Sequence, residues 1–261
     1  MNSRLALSCG IFCVALLLSA GCTGSDRSLS FSSLTFVTEE YPPYNYQEGR
    51  VVTGIAVDIL QAIAADAGTT ISPDQFRVMS WEDAYNAALS IPDTVVFSTV
   101  RLPEREDDFK WVGPIAREKK VLFAVRPSSI TVAGPADLKN YTIGVVPNDA
   151  AIGQLKEIGV PQQNLLSDPD PAVIIEGLQE GTIDLWCYGE DAGEYFAEKT
   201  LGSPDALVPV YTLDAYDLYY AFNRNTPDDL VDAFQQGLDS LKQKDNGSQI
   251  SVYEEILSRY S

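Results

Sequence analysis

The sequence predicts an α/β fold in two lobes, and three observations carry that prediction. Short apolar strands alternate with amphipathic helices as β-α-β-α-β, and the pattern is written once before Pro127 and again after it. About 230 residues follow a polar N-terminal stretch, which suits two lobes better than one domain of the commonest size. The chain closes with two helices that need a surface to cover. If it returns to the first lobe near its end, two crossing segments form a hinge, around residues 121–126 and 213–222. Ligands of open α/β sheets bind beyond the carboxyl ends of the strands, so two facing sheets make a cleft that can close on a solute.

Each element has a local cause. Residues 34–38 form an apolar strand, followed by a proline-rigid aromatic loop at Tyr41-Pro42-Pro43-Tyr44. A helix runs to Ala67, with Ile59, Ile63 and Ala67 at helical spacing and Gly68 as its stop. Residues 76–79 form a short strand. Ser80 then caps a helix over 81–89, with Glu82 and Asp83 at its positive end. Strands follow at 94–99 and 121–125. Beyond Pro127 come a short turn at 136–138, a strand at 142–146 and a helix from Asn148 to about 158. A strand at 164–167, a helix at 172–180 ended by Gly181, a strand at 183–188 and a helix at 191–199 continue the pattern. Strands at 207–212 and 216–222 precede terminal helices at 227–244 and 251–260, split by Asn246-Gly247.

The N-terminus reads as an export signal. Residues 1–21 carry one basic residue, Arg4, then an apolar run at 5–18 that is shorter than the ~20 residues a spanning helix needs. It ends Leu18-Ser19-Ala20-Gly21-Cys22, small residues ahead of a cysteine. Residues 22–33 are polar and serine-rich, as in a flexible tether. Cys22 is accordingly expected to be lipidated after cleavage, which would hold the protein outside the cytoplasm on the bilayer.

Composition excludes several function classes. The chain has no histidine, which removes His-based triads, proton shuttles and the usual zinc sites. Past the leader and Cys22 only Cys187 remains, so no disulfide, cysteine metal cluster or cofactor is expected. Without Arg4, 17 basic residues face 37 acidic ones, a charge that argues against nucleic acid as a partner. In so acidic a protein, Arg101 and Arg105 just past the hydroxyls Ser98 and Thr99 make a candidate anchor for a small anion. A guanidinium offers a rigid fork that fits a carboxylate.

Three blocks together resemble the amino-acid-type extracellular solute-binding proteins (family 3), the receptor components of ABC importers. They are Tyr41-Pro42-Pro43-Tyr44 with residues 54–60, Arg101-Leu102-Pro103-Glu104-Arg105 with residues 109–114, and residues 138–146 with 180–185. The resemblance covers roughly residues 34–241. It implies a periplasmic-binding-protein-like (type II) fold with a hinge and an interlobe ligand cleft. The first lobe would be residues 34–126 and 217–261, and the second 127–216.

The resemblance also implies site roles. Arg105 would grip the ligand carboxylate, with Ser98 beside it. Tyr41 and Trp81 would wall the cleft, and Asp149, Ala150 and Ala151 would offer a helix start whose N–H groups hold the carboxylate. The acid expected on a ligand ammonium falls on Gly189, leaving Glu190 or Asp191 to supply it. Val100 stands where a hydroxyl is usual. The function implied is capture of a small solute, most simply a polar amino acid, by a monomer that hands it to an ABC permease. Two other readings fit the scaffold. One is a dehydratase-like enzyme acting on a small cyclic carboxylic acid, with Glu39, Glu40, Glu190 or Lys139 moving the proton. The other is a ligand-sensing module for a separate signalling partner.

Overall fold

The computed structural model describes residues 30–244 and 249–260. The leader, Cys22, most of the tether stretch and the Asn246-Gly247 break lie outside the described residues.

The fold is mixed α/β. The first half of the chain supplies strands β1 (Thr35–Thr38), β2 (Tyr46–Glu48), β3 (Val51–Thr53), β4 (Phe76–Val78), β5 (Thr94–Val100) and β6 (Phe109–Val125). Helices α1 (Ile55–Asp66) and α2 (Trp81–Ser90) lie among them. The second half supplies β7 (Ile143–Val145), α3 (Ala151–Ile158), β8 (Leu165–Ser167), α4 (Pro171–Glu180), β9 (Leu185–Gly189), α5 (Glu190–Leu201) and β10 (Leu207–Asn223). Helices α6 (Asp228–Lys242) and α7 (Val252–Ser258) close the chain.

One eight-stranded sheet runs in the order β4-β1-β5-β10-β6-β9-β7-β8, with β2 and β3 as a separate hairpin. This corrects the expectation of two sheets. The sequence reads as separate short strands at 121–125, 207–212 and 216–222, because polar residues interrupt the apolar runs. In the structure β6 and β10 are each 17 residues long and pair antiparallel from one end to the other. Continuous backbone pairing does not require continuous apolar side chains, so the charged centre of each strand hides its length.

At that centre the sheet is only two strands wide. On one side β5 reaches as far as Val100, opposite Leu218. On the other, β9 begins its pairing with Lys120, opposite Gly189. Between them Arg117, Glu118 and Lys119 pair only with Asp217, Tyr216 and Ala215. The two halves of the sheet are thus joined by a two-stranded ribbon, and β10 carries register shifts on both sides of it.

The main core gathers Phe36, Ile59, Val95, Phe97, Phe222 and Phe234 under the first half of the sheet. It continues through Phe123, Trp186 and Tyr188 into the second half. A smaller cluster around Leu122, Ile143, Val145, Leu155, Leu185 and Cys187 covers the other face there. Cys187 is fully buried, and burial pushes its thiol up, which keeps it an unreactive apolar group.

The end of the tether stretch is folded. Residues Phe31–Ser33 form a 3₁₀ turn. The Phe31 ring lies 4.4 Å from that of Phe234, and the Gln75 amide donates to the Phe31 and Leu34 carbonyls. The serines around Phe31 gave the segment its tether-like composition; one buried aromatic ring was enough to dock it. Phe31→Ala is expected to cost about 3–5 kcal/mol of unfolding free energy in urea titration, the usual price of emptying a phenylalanine site. A change under about 0.5 kcal/mol, typical of an exposed position, would return this segment to the tether.

Candidate functional site

The candidate site lies where the two halves of the sheet face each other beside the ribbon. Its inner cavity is about 20 Å³ and is lined by Glu39, Tyr41, Trp81, Ser98, Val100, Arg105, Glu118, Lys120, Asp149 and Ala150. That is room for about one water molecule. A larger cavity of about 470 Å³ adjoins it, sharing Arg105, Asp149 and Ala150 and adding Tyr85, Asn148 and Lys156.

The first half brings its residues in from three loops. After β1 the chain turns at Tyr41, whose N–H donates to the Asn45 carbonyl at 2.6 Å, while the Asn45 amide donates to the Glu39 carbonyl at 2.7 Å. The turn buries the Tyr41 ring edge-on to Tyr188, 5.1 Å between centroids. Ser80 caps α2 by accepting from the Asp83 N–H at 3.2 Å, which sets Trp81 at the head of the helix. Trp81 is buried, and its indole N–H donates across the cleft to the Asn148 carbonyl at 3.1 Å.

Strand β5 bulges at Ser98. Thr99 pairs with Tyr219 and Phe97 with Tyr220, so Ser98 is the extra residue, with φ at +59°. A bulge re-aims one side chain, and left-handed backbone at a non-glycine residue is costly, so such positions concentrate at functional sites. The Ser98 hydroxyl is buried and has no hydrogen-bond partner among the described atoms. Next to it, the 3₁₀ turn Pro103–Arg105 buries Arg105. Its guanidinium sits 5.1 Å from the Tyr85 ring and 5.9 Å from Trp81. It donates to the Val100 carbonyl at 3.2 Å and, across the cleft, to the Asn148 carbonyl at 2.7 Å. Burial lowers its pKa, yet an arginine remains charged at any physiological pH. Arg101 is instead exposed, forks onto Glu106 and lies against Trp111 and Tyr219.

The second half and the ribbon supply charges that the motif reading did not select. Lys120 is buried, and its ammonium donates to Asp149 at 2.7 Å and to the Tyr41 hydroxyl at 3.1 Å, with Glu118 at 3.6 Å. Tyr41 in turn donates to Glu118. Burial alone would push Lys120 down, but Asp149 and Glu118 hold it well above its ordinary value. Burial raises the Glu118 carboxyl, offset in part by Lys120 and by the Tyr41 hydrogen bond. The signal was in the sequence. Glu118 and Lys120 are two apart in a strand, so they share a face, whereas Arg117 and Lys119 point the other way and are exposed.

Two expected roles change. The Ala151 N–H is not free to hold a carboxylate, because it donates to the Asp149 side chain at 2.7 Å. Asp149 therefore serves the helix start with one oxygen and Lys120 with the other, and Ala151 itself is buried outside the cavity lining. Glu190 does not enter the site either. It opens α5 and accepts from Lys119 on the outer surface. The physical reason lies at Gly189, where a Cβ would collide with the Tyr41 hydroxyl and stand 3.2 Å from Glu118. Tyr41 and Glu118 fill the space from which an acid at position 189 would project.

Glu39 completes the arrangement. It accepts from the Tyr188 hydroxyl at 3.2 Å, and its pKa is raised to about 8, first by burial and then by Asp149 and Glu118 against the pull of Lys120.

Residues 34–253 match the family model of the bacterial extracellular solute-binding proteins, family 3, and the chain belongs to that family. Among solved structures, a histidine kinase sensor domain with similarity to periplasmic binding proteins is 24% identical, with a TM-score of 0.74, covering 87% of this chain and 95% of its own. An ancestral arginine-binding protein bound to arginine is 16% identical at a TM-score of 0.72, with coverages of 87% and 97%. The arginine-, lysine-, histidine-binding protein ArtJ from Geobacillus stearothermophilus is 16% identical at 0.69, with coverages of 87% and 94%. At these identities the likeness shows the fold. No curated protein sequence matches the chain.

Because the native Glu39 carboxyl holds its proton up to about pH 8 and the unfolded one only to about 4.5, the native state binds the extra proton in between. Glu39 thus contributes stability that is complete below about 4.5 and is lost as pH rises through about 8, with a slope of up to ~1.4 kcal/mol per pH unit. In urea unfolding from pH 5 to 8, Glu39→Gln should gain steadily on the wild type. A constant difference across that range would contradict the assignment.

Proposed function

We propose that this family member captures a small carboxylate solute, most simply a polar amino acid, between the halves of its sheet and presents it to an ABC permease outside the cytoplasm. The observation that carries the reading is that Arg105 and Ser98 line one cavity. A buried guanidinium shares the cavity with a buried hydroxyl that sits on a strained bulge and has no hydrogen-bond partner among the described residues. Buried polar groups are nearly always paired, and a ligand carboxylate held by the arginine fork would supply the missing partner.

The inner cavity is far smaller than the ~300 Å³ typical of ligand pockets, so a solute held there between Arg105 and Ser98 would need the halves to part. The ribbon at residues 117–119 and 215–217 is the proposed hinge, and it moves the first proposed lobe boundary from 126/127 back to 117–119, while the second stays near 216/217. Contacts that would separate include Arg105 and Trp81 to Asn148, Lys120 to Tyr41, Tyr188 to Glu39, and Tyr195 with Lys199 to Glu40. A solute drives closure only by binding the closed form better than the open one. Lipidation of Cys22 would keep the protein near its permease. A second reading, a sensing module acting through a separate signalling partner, draws support from the similarity to a kinase sensor domain. Both readings use the same cleft.

A thermal-shift screen of amino acids and small carboxylates tests the reading. At a hundredfold excess over Kd a ligand adds ~2.7 kcal/mol, which for this size raises Tm by roughly 5–10 °C. Arg105→Ala should abolish the shift. Persistence of the shift in that variant, or its loss only with Arg101→Ala, would contradict the proposed anchor.

A further inference from the structure

The Lys120 ammonium has the surroundings of a bound ligand. Two carboxylates, Asp149 and Glu118, and one hydroxyl, Tyr41, face it. The rings of Tyr41 and Tyr188 lie 5.2 and 5.3 Å away, within the range of cation–π attraction. Acids on one side and aromatic faces on the other make a recognition cage for a cation. This cage opens on the same closed cavity as Arg105, Ser98 and Trp81. Its members come from three places: Tyr41 from the first half, Glu118 from the ribbon and Asp149 from the head of α3 in the second half.

We propose that Lys120 is a built-in occupant of the site's cation cage, and so a specificity residue that excludes any solute bringing a cation into that cage, which narrows the solute proposed above to a carboxylate whose own ammonium, if it has one, lies outside the cage. This rests on the cleft being the solute site. A tethered ammonium competes at high effective concentration with any free cation. A second cation would have to displace it, or share two carboxylates in a space the size of one water. An anionic group adds no such conflict, because Arg105 and Lys120 both favour it. The exclusion is local. The protein as a whole is strongly acidic, and its field would draw cations toward the cleft. Glu39 lines the same cavity but brings no full negative charge to offset a second cation, because burial raises its pKa to about 8.

The test uses the purified protein, the Lys120→Ala variant and two probes, butylammonium and L-arginine, with sodium chloride at matched ionic strength as the control. Wild type should show no thermal shift with either probe. Lys120→Ala, with the ammonium removed and the cage intact, should gain a shift of several degrees, up to roughly 5–10 °C at a hundredfold excess over Kd. Lys120→Arg, which keeps a cation in place, should remain unresponsive. If Lys120→Ala is recovered unfolded, refolding it with butylammonium is the readout: a restored cooperative transition supports the inference, and failure with both probes overturns it. A shift of the wild type with L-arginine overturns it, as does a folded Lys120→Ala variant that neither probe stabilises. Butylammonium has no carboxylate and does not need Arg105. Its arm therefore reads the cage even if no carboxylate binds the wild type. Conversely, carboxylate binding by the wild type with no gain in the variant would leave the proposed function standing and remove this inference alone.

Discussion

A lysine ammonium enclosed between two carboxylates at the waist of the sheet constrains the rest of this structure. Removing such charges from water costs several kcal/mol per ion, and the cost is recovered only when each charge is fully paired. Lys120 meets that condition through Asp149, Glu118 and the Tyr41 hydroxyl. Every one of those partners is then committed to a position. Asp149 must stay at the head of α3, where its other oxygen caps the Ala151 N–H. Tyr41 must turn inward from β1, and position 189 must be glycine to leave room for its hydroxyl. The fit between the two halves of the sheet follows from satisfying one buried cation.

The same region builds the site and is where the proposed opening would occur. The long strands β6 and β10 keep the sheet continuous, so the halves share backbone pairing across the waist. At the waist only two strands remain, and register shifts in β10 lie on either side. A narrow ribbon with interrupted register is the part of a sheet that bends at least cost in lost neighbours. Glu118 and Lys120 sit on or beside that ribbon, so the charges that bring the halves together lie at the bend itself.

Much of this was legible in the sequence, and what was not has physical reasons. The element order, the Ser80 cap, the glycine stops and the buried thiol follow from local rules that act within a few residues. Arg105, Ser98, Tyr41 and Trp81, which the family resemblance singles out, line one cavity. The continuous strands were hidden because their middles are charged. Lys120 was hidden because a lysine within Glu118-Lys119-Lys120 reads as a solvated run; only the two-residue period separates the buried face from the exposed one. Ala151 and Glu190 carried family roles that this chain reassigns, since Asp149 occupies the helix start and Tyr41 occupies the space beside Gly189. Phe31 shows the limit of composition, because a single ring outweighs the serines around it.

If Lys120 and its carboxylates form one interdependent unit, their energies cannot be additive, and a double-mutant cycle in urea measures this directly. Lys120→Met and Asp149→Asn should each cost about 3–5 kcal/mol, because each leaves a buried charge without its main partner. The double variant should cost much less than the sum, giving a coupling energy of about 2–3 kcal/mol. Additivity within about 0.5 kcal/mol would mean that Lys120 and Asp149 act independently, and would contradict the account.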